Sequence, residues 1–549
     1  MNPFEEVYIG DCLIKNRFAM APMISSLADA DGSTNEVHTE YLTERAAGGF
    51  GLIITEYSFV PSRNSRGSRN QLSFARLDQT PKFRRIAENV HGYGSKIFAQ
   101  IVHAGGKAVT ENGELPFAPS PVMYNGRMPA EMSERDIEEV IGAFAQSAKI
   151  AELSGFDGIE LHGAHGYLIH EFLSPALNRR NDRWGGSLEN MLRFPQEIIK
   201  RVREEVTLPV GMRLSLYEDD QDGYPPEHGL KIAESLKNID YVHFSAGRNA
   251  PPGSSAPFYY PHAHILRRLT AKPSIKTMIV GSISDKETVE NALETADMVS
   301  IGREALADPF FPEKMRRGLM PRPCIRCNQA CRDFAHGQVR CTINYETGRE
   351  TLVKIQELHG DVKIAGAGVA GMEAAIYLAR CGMHVAVFEK AGNIGGQINE
   401  IFETSQKNEF QKLVSFYREE AKRLGIELKL NHEVSGKDVD LWLAGGHRYP
   451  GMVEDDEMYV DSNIYAHLDA CLRLAGKKKI VMTERSLSSL DRGRQAVFRR
   501  IAQDRGITFV KEPDERFAVN IIERRQIDLG TAVRKGISEA MRFASELRW

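Results

Sequence analysis

Residues 155–175, GFDGIELHGAHGYLIHEFLSP, contain the pattern that decides the fold. A short β-branched run, GIELHG (158–163), ends in a polar and glycine-rich loop, and a stretch of helix length follows. Seven more runs of this kind alternate with amphipathic stretches: NRFAMAPM (16–23), GLIITEY (51–57), KIFAQIVH (96–103), VGMRLS (210–215), YVHFSAG (241–247), TMIVGSI (277–283) and MVSIGRE (298–304). Such alternation indicates repeated βα units. Eight of them predict a closed TIM-type (β/α)8 barrel over residues 1–318.

The composition is average for a globular protein. Of 549 residues, 42% are hydrophobic and 26% are charged, and the net charge of −4 provides no basic field for nucleic acid. The N-terminal MNPFEEVYIG is acidic, and no apolar run approaches the ~18 residues that a membrane span needs. We therefore expect a cytoplasmic protein with neither a nucleic-acid nor a membrane partner.

Several motifs occur in the order in which one protein family carries them. They are KNRFAMAPM (15–23), AQIVHAG (99–105), NRRNDRWGGSLEN (178–190), GMRLS (211–215), VGSI (280–283) and IGREALADP (301–309). Together with residues 155–175, these motifs resemble the old yellow enzyme family over residues 1–318. The resemblance implies that FMN binds at the C-terminal mouth of the barrel, where the loops after the strands converge.

Two polar side chains at strand ends are candidates for contact with the flavin ring. Gln100 can donate to and accept from its pyrimidine edge, and Arg213 can stabilise the negative charge of the reduced ring. The alternatives are a core amide and a structural ion pair. Gly281, Gly302 and Arg303 follow the last two runs, where glycines admit a phosphate to the backbone amides and an arginine neutralises it.

The first run ends in Pro22 and Met23, which by resemblance lie beneath the flavin. The next residue, Ile24, is apolar where relatives often carry Thr, Cys or His near the reactive nitrogen. This departure bears on how the protein tunes its flavin.

Three residues at the end of the fourth run and in the loop that follows it are the predicted catalytic groups: His162, His165 and Tyr167. Two imidazoles can donate hydrogen bonds to a carbonyl or carboxyl oxygen, which draws charge from a conjugated alkene so that hydride adds to its β carbon. Tyr167 can then protonate the α carbon. The alternative is that these residues order the loop or bind a metal, although no carboxylate at zinc-site spacing stands nearby.

The sixth loop, GRNAPPGSSAPFYYPHA (247–263), is predicted to face the substrate. Its Tyr259, Tyr260 and His262 lie in a Pro- and Gly-rich span of the kind that carries binding groups. Nothing in its sequence names the substrate.

Four of the seven cysteines lie in CIRCNQACRDFAHGQVRC (324–341), spaced C-x2-C-x3-C-x9-C. Clustering in a reducing compartment favours a metal site over disulfides. The uneven spacing suits a cubane iron–sulfur cluster better than zinc, which usually takes two C-x2-C pairs. The segment resembles the one after the barrel in the 2,4-dienoyl-CoA reductase and trimethylamine dehydrogenase branch, which implies a [4Fe-4S] cluster in residues 319–360. The predicted ligands are Cys324, Cys327, Cys331 and Cys341.

Residues 361–549 begin with a nucleotide-binding fingerprint. The stretch KIAGAGVAGMEAAIYLARCGMHVAVFEK (363–390) places three glycines between a strand and a helix and an acidic residue at the end of the next strand. This arrangement holds a pyrophosphate at the helix N-terminus and the ribose hydroxyls on the carboxylate. A following GGQ motif resembles the FAD-binding branch, so the site could hold FAD, ADP alone or nothing. The predicted binding residues are Gly366, Gly368, Gly371, Glu389 and Gln397.

The second dinucleotide fold of the dienoyl-CoA reductase branch is reduced to fragments. KKKIVM (477–482) resembles its first strand but runs directly into TERSLSSL (483–490), without a glycine loop or a crossover helix. A βαβ unit needs ~30 residues, so this piece should not form one. We therefore expect a truncated Rossmann-like domain without a standard NAD(P)H site.

Three functions remain open. The first is a reductase for the C=C bond of an enoyl, dienoyl or enone substrate, with electrons reaching FMN through the cluster. The second is an amine dehydrogenase or demethylase that exports electrons through the cluster to a carrier protein. The third is a non-catalytic electron-relay subunit. In each case we expect a homo-oligomer.

Overall fold

The computed structural model describes residues 1–547 apart from 111–112, 124–125, 219–221, 249–268, 270–271, 334–336, 354, 401–406, 445–454, 463–464, 490–494, 496–497, 500–501, 518–520 and 523–528. None of the helices in this part of the chain is long and apolar enough to cross a membrane. The chain divides into two compact units. The first comprises Met1–Pro321, Asp333–Val339 and Glu346–Leu352, and the second comprises Arg322–Arg332, Arg340–Tyr345 and Val353–Trp549.

The first unit opens with an antiparallel hairpin of β1 (Val7–Ile9) and β2 (Cys12–Ile14). The strands that follow are β3 (Phe18–Met20), β4 (Leu52–Ile54), β5 (Ser58–Phe59), β6 (Lys96–Val102), β7 (Phe117–Ala118), β8 (Ala130–Glu131), β9 (Gly158–Gly163), β10 (Val210–Ser215), β11 (Tyr241–Ser245), β12 (Lys276–Val280) and β13 (Met298–Ile301). Neighbouring strands pair in parallel in the order β4-β3-β13-β12-β11-β10-β9-β6, and β4 also pairs with β6. The eight strands therefore close into a barrel, which confirms the predicted fold.

The helices of the first unit are α1 (Glu36–Ala47), α2 (Thr80–His91), α3 (Glu134–Leu153), α4 (Leu168–Leu173), α5 (Leu188–Glu205), α6 (Pro226–Ser235), α7 (Lys286–Thr295), α8 (Arg303–Ala307) and α9 (Phe311–Arg316). Local sequence starts several of them. Ser133 and Asp136 form a capping box at α3, and Ser187 accepts from the third residue of α5. Each capped helix begins where a loop from the barrel ends.

The barrel interior is closed at the N-terminal end of the strands. Apolar side chains of the β1–β2 hairpin pack there against inward-facing residues of the barrel, including Leu52, Phe98, Tyr241, Met278 and Met298. The opposite end, where the strands stop, is left for polar residues, as in other barrels of this type.

The second unit contains a parallel Rossmann-like sheet and its helices. These are β14 (Asp361–Ala365), α10 (Val369–Arg380), β15 (His384–Glu389), α11 (Lys407–Arg423), β16 (Glu427–Leu430) and β17 (Leu441–Trp442). The strand order is β16-β15-β14-β17. All four clustered cysteines belong to this unit and not to the barrel unit.

A second parallel sheet follows, and it corrects the sequence analysis. Its elements are β18 (Glu457–Ser462), α12 (Tyr465–Leu474), β19 (Lys479–Thr483), β20 (Thr508–Val510) and β21 (Ile521–Ile522), in the strand order β20-β19-β18-β21. The KKKIVM segment is therefore the second strand of a βαβ unit, paired in parallel with β18. The prediction that it could not form such a unit was wrong, because its partner strand and crossover helix precede it and no glycine lies between that strand and that helix to mark them. The last described helix, α13 (Leu529–Glu546), packs on α10, where a β carbon at Gly536 would lie 2.2 Å from the Ala370 carbonyl oxygen.

Candidate active site

Strand register gathers the predicted flavin and substrate residues inside the barrel. His162, Arg213 and His243 are directly paired on β9, β10 and β11, and Gln100 is paired with Glu160 on β6 and β9. Paired residues of neighbouring strands point to the same face of a sheet. All five side chains are buried.

The three predicted catalytic side chains meet at the end of β9. The ring centroids of His162 and His165 are 5.3 Å apart, and those of His162 and Tyr167 are 4.9 Å apart. The ring of Tyr57, which the sequence analysis did not single out, lies 5.3 Å from that of Tyr167. Tyr57 is the last residue of the GLIITEY run, but it lies three residues beyond the end of β4 at Ile54, and its place in the run did not mark it as part of a site.

His162 is a neutral hydrogen-bond donor. Burial, with a further contribution from the positive charge of Arg213, lowers the pKa of His162 well below its usual value. Its Nδ1 accepts the backbone N–H of Ala164 at 3.3 Å. A neutral ring that accepts at Nδ1 carries its proton on Nε2, so Nε2–H is the donor that a substrate oxygen would meet.

His165 is held in one orientation by its neighbours. It has a left-handed backbone, with φ of 60°, which is uncommon for a residue other than glycine. Its backbone N–H donates to the Ser215 hydroxyl at 3.1 Å, and its Nε2 lies 2.7 Å from the Ser245 hydroxyl. Burial and the charge of Arg213 lower its pKa well below the usual value. Both imidazoles are therefore uncharged near neutral pH.

Lys107 is a further residue of the site that sequence reasoning missed. Its ammonium group donates to the backbone carbonyls of His165 and Arg248 and lies 5.3 Å from the ring centroid of Tyr167. It is the second residue after AQIVHAG in the sequence, and this position is the local signal that could have identified it.

The surroundings of Arg213 bear on whether a negatively charged ring system could bind beside it. Its Nη1 donates to the Pro22 carbonyl at 3.2 Å, whereas its Nε is buried without a hydrogen-bond partner among the described residues. Burial lowers the pKa of Arg213 to about 10, against the opposing charge of Glu160. A buried cation with an unsatisfied N–H suits the negative charge of a reduced flavin. The hydrogen bond to Pro22 also places the segment that follows β3 beside Arg213.

The predicted phosphate-binding residues meet at the ends of β12 and β13. Arg303 donates to the hydroxyl of Ser282, the residue after Gly281, at 3.3 Å. A β carbon at Gly302 would lie 3.5 Å from the sulfur of Met23. This distance is an ordinary van der Waals contact, so Gly302 lies beside Met23 without crowding it. Their roles toward FMN remain predictions.

The four clustered cysteines are not joined by disulfide bonds. The Arg326 N–H donates to the Cys324 sulfur at 3.4 Å, and the Cys327 thiol bonds to the Thr342 hydroxyl at 3.1 Å. Burial and the neighbouring thiols raise the pKa of Cys341 to about 12. Sulfur atoms with hydrogen-bond donors beside them have the chemistry of a thiolate cluster site, and the assignment of a cluster to these cysteines stays a prediction. Within the described part of the chain, however, no three His, Cys, Asp or Glu side chains stand close enough to hold a metal ion.

The glycine fingerprint forms a compact loop at the start of α10. A β carbon at Gly371 would lie 1.7 Å from the Gly366 carbonyl oxygen, and one at Gly396 would lie 3.1 Å from Gly368 Cα. The GGQ motif therefore packs on the fingerprint loop. Glu389 accepts the N–H of Ala367 in that loop at 2.8 Å, so its carboxylate braces the turn.

The second parallel sheet carries an acidic residue near the end of its strand β18. There Asp461 accepts from the Thr483 hydroxyl at 2.5 Å and from the guanidinium of Arg485. The carboxylate of Asp461 is therefore paired with a guanidinium, and residues 463–464, which follow β18, lie outside the described part of the chain. The expected lack of a standard NAD(P)H site stays a prediction.

Residues 3–321 match the family described as NADH:flavin oxidoreductase / NADH oxidase, and residues 364–419 match an NAD(P)-binding Rossmann-like domain. The chain belongs to the NADH:flavin oxidoreductase / NADH oxidase family. The predicted resemblance to the old yellow enzyme family is thereby confirmed. This flavin oxidoreductase is an FMN-dependent enzyme that acts on a small-molecule substrate.

Three known proteins illustrate how far the similarity extends. An NADH oxidase from Thermoanaerobacter brockii is 37% identical over 451 residues, covering 78% of this chain and 69% of the relative. A cinnamate reductase from Clostridium sporogenes is 32% identical over 483 residues, covering 79% and 72%. A solved 2-naphthoyl-CoA reductase matches with a TM-score of 0.85 at 24% identity, covering 96% of this chain and 88% of that one. The last likeness supports the fold of this flavin oxidoreductase and no more.

Tyr259, Tyr260 and His262 lie outside the described residues. The predicted role of the sixth loop in facing the substrate stays a prediction.

Proposed function

We propose that this flavin oxidoreductase reduces the activated C=C bond of an enoyl, dienoyl or enone substrate, with electrons supplied through a [4Fe-4S] cluster. The observation that carries the proposal is the meeting of neutral His162 and His165 with Tyr167 at the barrel mouth. The similarity to a cinnamate reductase supports the same class, because cinnamate is an α,β-unsaturated acid.

The protein groups act on opposite ends of the conjugated system. When bound, FMN supplies the hydride for the β carbon. His162 donates its Nε2–H to the carbonyl or carboxyl oxygen, which withdraws charge from the alkene. Tyr167 donates its hydroxyl proton to the α carbon, so one hydride and one proton saturate the double bond. Lys107, near the Tyr167 ring, favours the phenolate left behind.

The residues that would hold the cofactors lie in separate units. Pro22, Met23, Gln100 and Arg213 would contact the FMN ring, and Gly281, Gly302 and Arg303 its phosphate. Cys324, Cys327, Cys331 and Cys341 would hold the cluster, which supplies single electrons. Gly366, Gly368, Gly371, Glu389 and Gln397 would bind FAD or ADP. The lack of a second glycine fingerprint in the sequence around β18 and β19 supports a route in which electrons enter from a carrier protein.

We place this chemistry in the cytoplasm and in a homo-oligomer. The clustering of four of the seven cysteines in one short segment, which favours a metal site over disulfides, supports a reducing compartment.

The test is an anaerobic half-reaction. The purified enzyme is reduced with dithionite, mixed with cinnamate or an enoyl thioester, and followed by the return of oxidised flavin absorbance. Reoxidation by cinnamate but not by the saturated 3-phenylpropanoate is the expected result. The opposite outcome is bleaching of the oxidised enzyme by a secondary or tertiary amine without reoxidation by any unsaturated compound, and it would establish the amine dehydrogenase instead.

A further inference from the structure

The barrel contains a buried polar cluster that the proposed reaction does not use. Its centre is Glu160 on β9, one inward position deeper than His162 and with no exposed surface. The Glu160 carboxylate accepts three hydrogen bonds, from Gln100 Nε2 at 2.7 Å, the Tyr241 hydroxyl at 2.8 Å and His243 Nδ1 at 3.0 Å. None of these donors is a neighbour of Glu160 in the sequence.

Space for this cluster depends on one glycine. Gly211 is paired in register with both Glu160 and Tyr241, and a β carbon at Gly211 would lie 1.9 Å from the Tyr241 ring. The missing side chain lets the Tyr241 ring lie across β10 so that its hydroxyl reaches Glu160. Small and large residues thus alternate in this layer of the barrel.

The Glu160 carboxylate is ionised. Burial opposes its ionisation, but the His243 contact, the positive charge of Arg213 and the Tyr241 hydroxyl hold the pKa of Glu160 below its usual value. Burial lowers the pKa of His243, so this ring is neutral and donates its Nδ1–H to the carboxylate. Arg213 is the cation that balances the charge.

An ionised carboxylate selects the orientation of the Gln100 amide. A carboxylate only accepts hydrogen bonds, so the NH2 group of Gln100 must face it and the carbonyl oxygen Oε1 must point elsewhere. The same Gln100 is fixed at its backbone, where its N–H donates to the Thr55 hydroxyl at 3.2 Å. Without Glu160, the amide could turn by half a rotation at little cost.

We propose that Glu160 is a positioning residue for the flavin, which orients the Gln100 amide toward the pyrimidine edge and offsets the charge of Arg213. The inference rests on the proposed placement of FMN beside Gln100 and Arg213. A flavin that gains electrons becomes more negative, so Arg213 favours its reduction and Glu160 opposes it. Glu160 thereby holds the flavin potential below the value that Arg213 alone would give.

The test is Glu160→Gln, measured by FMN binding to apoprotein and by the flavin midpoint potential against a redox dye with dithionite. Loss of a charge-assisted hydrogen bond network should weaken FMN binding about tenfold or more. Loss of the negative charge should move the potential to a more positive value. Tyr241→Phe is the matched control, since it removes one donor but keeps the carboxylate charge, and should not move the potential in that direction.

A folded Glu160→Gln variant with unchanged FMN affinity and potential would overturn the proposal. If the variant does not fold, wild-type apoprotein is titrated with FMN and with N3-methyl-FMN. The methyl group removes the N–H that Gln100 Oε1 would accept, so weaker binding supports the fixed orientation and equal binding refutes it. Neither experiment uses an unsaturated substrate, so a failure of the proposed C=C reduction is seen separately.

Discussion

Replacing Tyr167 tests proton donation separately from hydride transfer. Tyr167→Phe keeps the ring that packs near His162 and Tyr57 but removes the hydroxyl. We expect flavin reduction by dithionite to be unchanged and reoxidation by cinnamate to slow by ~10²–10⁴-fold, the usual worth of a general acid. Stopped-flow absorbance of the flavin measures both half-reactions.

The control for this variant is Tyr8→Phe, because Tyr8 is 57% exposed on the hairpin at the closed end of the barrel. It should leave both half-reactions at wild-type rates. An unchanged oxidative half-reaction in Tyr167→Phe would remove this tyrosine from the mechanism.

Glu171 makes the stability of the protein depend on pH. Its carboxylate accepts the Gly106 N–H with both oxygens, at 2.9 and 3.2 Å, and burial raises its pKa from 4.5 to about 8. A carboxyl whose pKa is raised by folding stabilises fully below its unfolded pKa, and this contribution is lost as the pH rises through the folded pKa. We expect the free energy of unfolding to fall between pH 4.5 and 8.

Glu171→Gln stays neutral over the same range, so its stability should fall less steeply in urea titrations at several pH values. Glu56, whose pKa burial raises to about 7, contributes to the slope that remains. Parallel pH profiles for wild type and variant would contradict the assignment.

At the scale of elements, the first turn of α10 leaves no room for a side chain at Gly371. A β carbon at Gly371 would lie 1.7 Å from the Gly366 carbonyl oxygen, so Gly371→Ala must open the turn. We expect ADP binding, measured by calorimetry, to weaken by at least about tenfold, or ~1.4 kcal/mol. FMN content should not change, since the flavin residues belong to the other unit.

Gly436→Ala is the matched control in the same unit, because its β carbon would meet only the Trp442 ring at 3.8 Å. It should bind ADP as the wild type does. Wild-type ADP affinity in Gly371→Ala would show that the fingerprint does not bind the nucleotide.

The cysteine segment is tied to α10 by a buried ion pair. Arg322 donates to Glu373, which is 2% exposed and also accepts the Tyr417 hydroxyl at 2.7 Å. Arg322→Met leaves this carboxylate buried without its cation, which should cost about 3–5 kcal/mol in urea unfolding. Arg516→Met removes an exposed pair with Asp514 in the same unit, and it should lower the free energy of unfolding much less, because water screens this pair. Equal costs would show that burial of the first pair has no effect.

For the whole molecule, the division into two units predicts that the cofactors can be lost independently. Cys341→Ser should lose iron and acid-labile sulfide but retain FMN, because the proposed ligands of the two groups belong to different units. Metal analysis and flavin fluorescence after anaerobic purification measure the two contents. Cys12→Ser, in the barrel unit, should keep both. Full iron content in Cys341→Ser would exclude this cysteine as a ligand.

Much of this architecture was predictable from the sequence. Each barrel strand lies within a run whose length and β-branched content mark a buried parallel strand, and those signals are local. Local sequence also predicted the glycine fingerprint and the group of His162, His165 and Tyr167. In each case the residues lie at the end of one strand and in the loop that follows it. The second sheet was not predicted because no glycine lies between β18 and α12, so no glycine loop marks the start of its βαβ unit.

The sequence by itself determined the eight-stranded barrel, the four-cysteine segment, the fingerprint loop and the three catalytic candidates, because each depends on residues close together in the chain. Only the tertiary structure decided that Glu160 binds Gln100, Tyr241 and His243, which are 60, 81 and 83 residues away. Only the fold could also assign the cysteines to the second unit and place Tyr57 beside Tyr167. Contacts across a closed barrel depend on strand order and register, which no local pattern specifies.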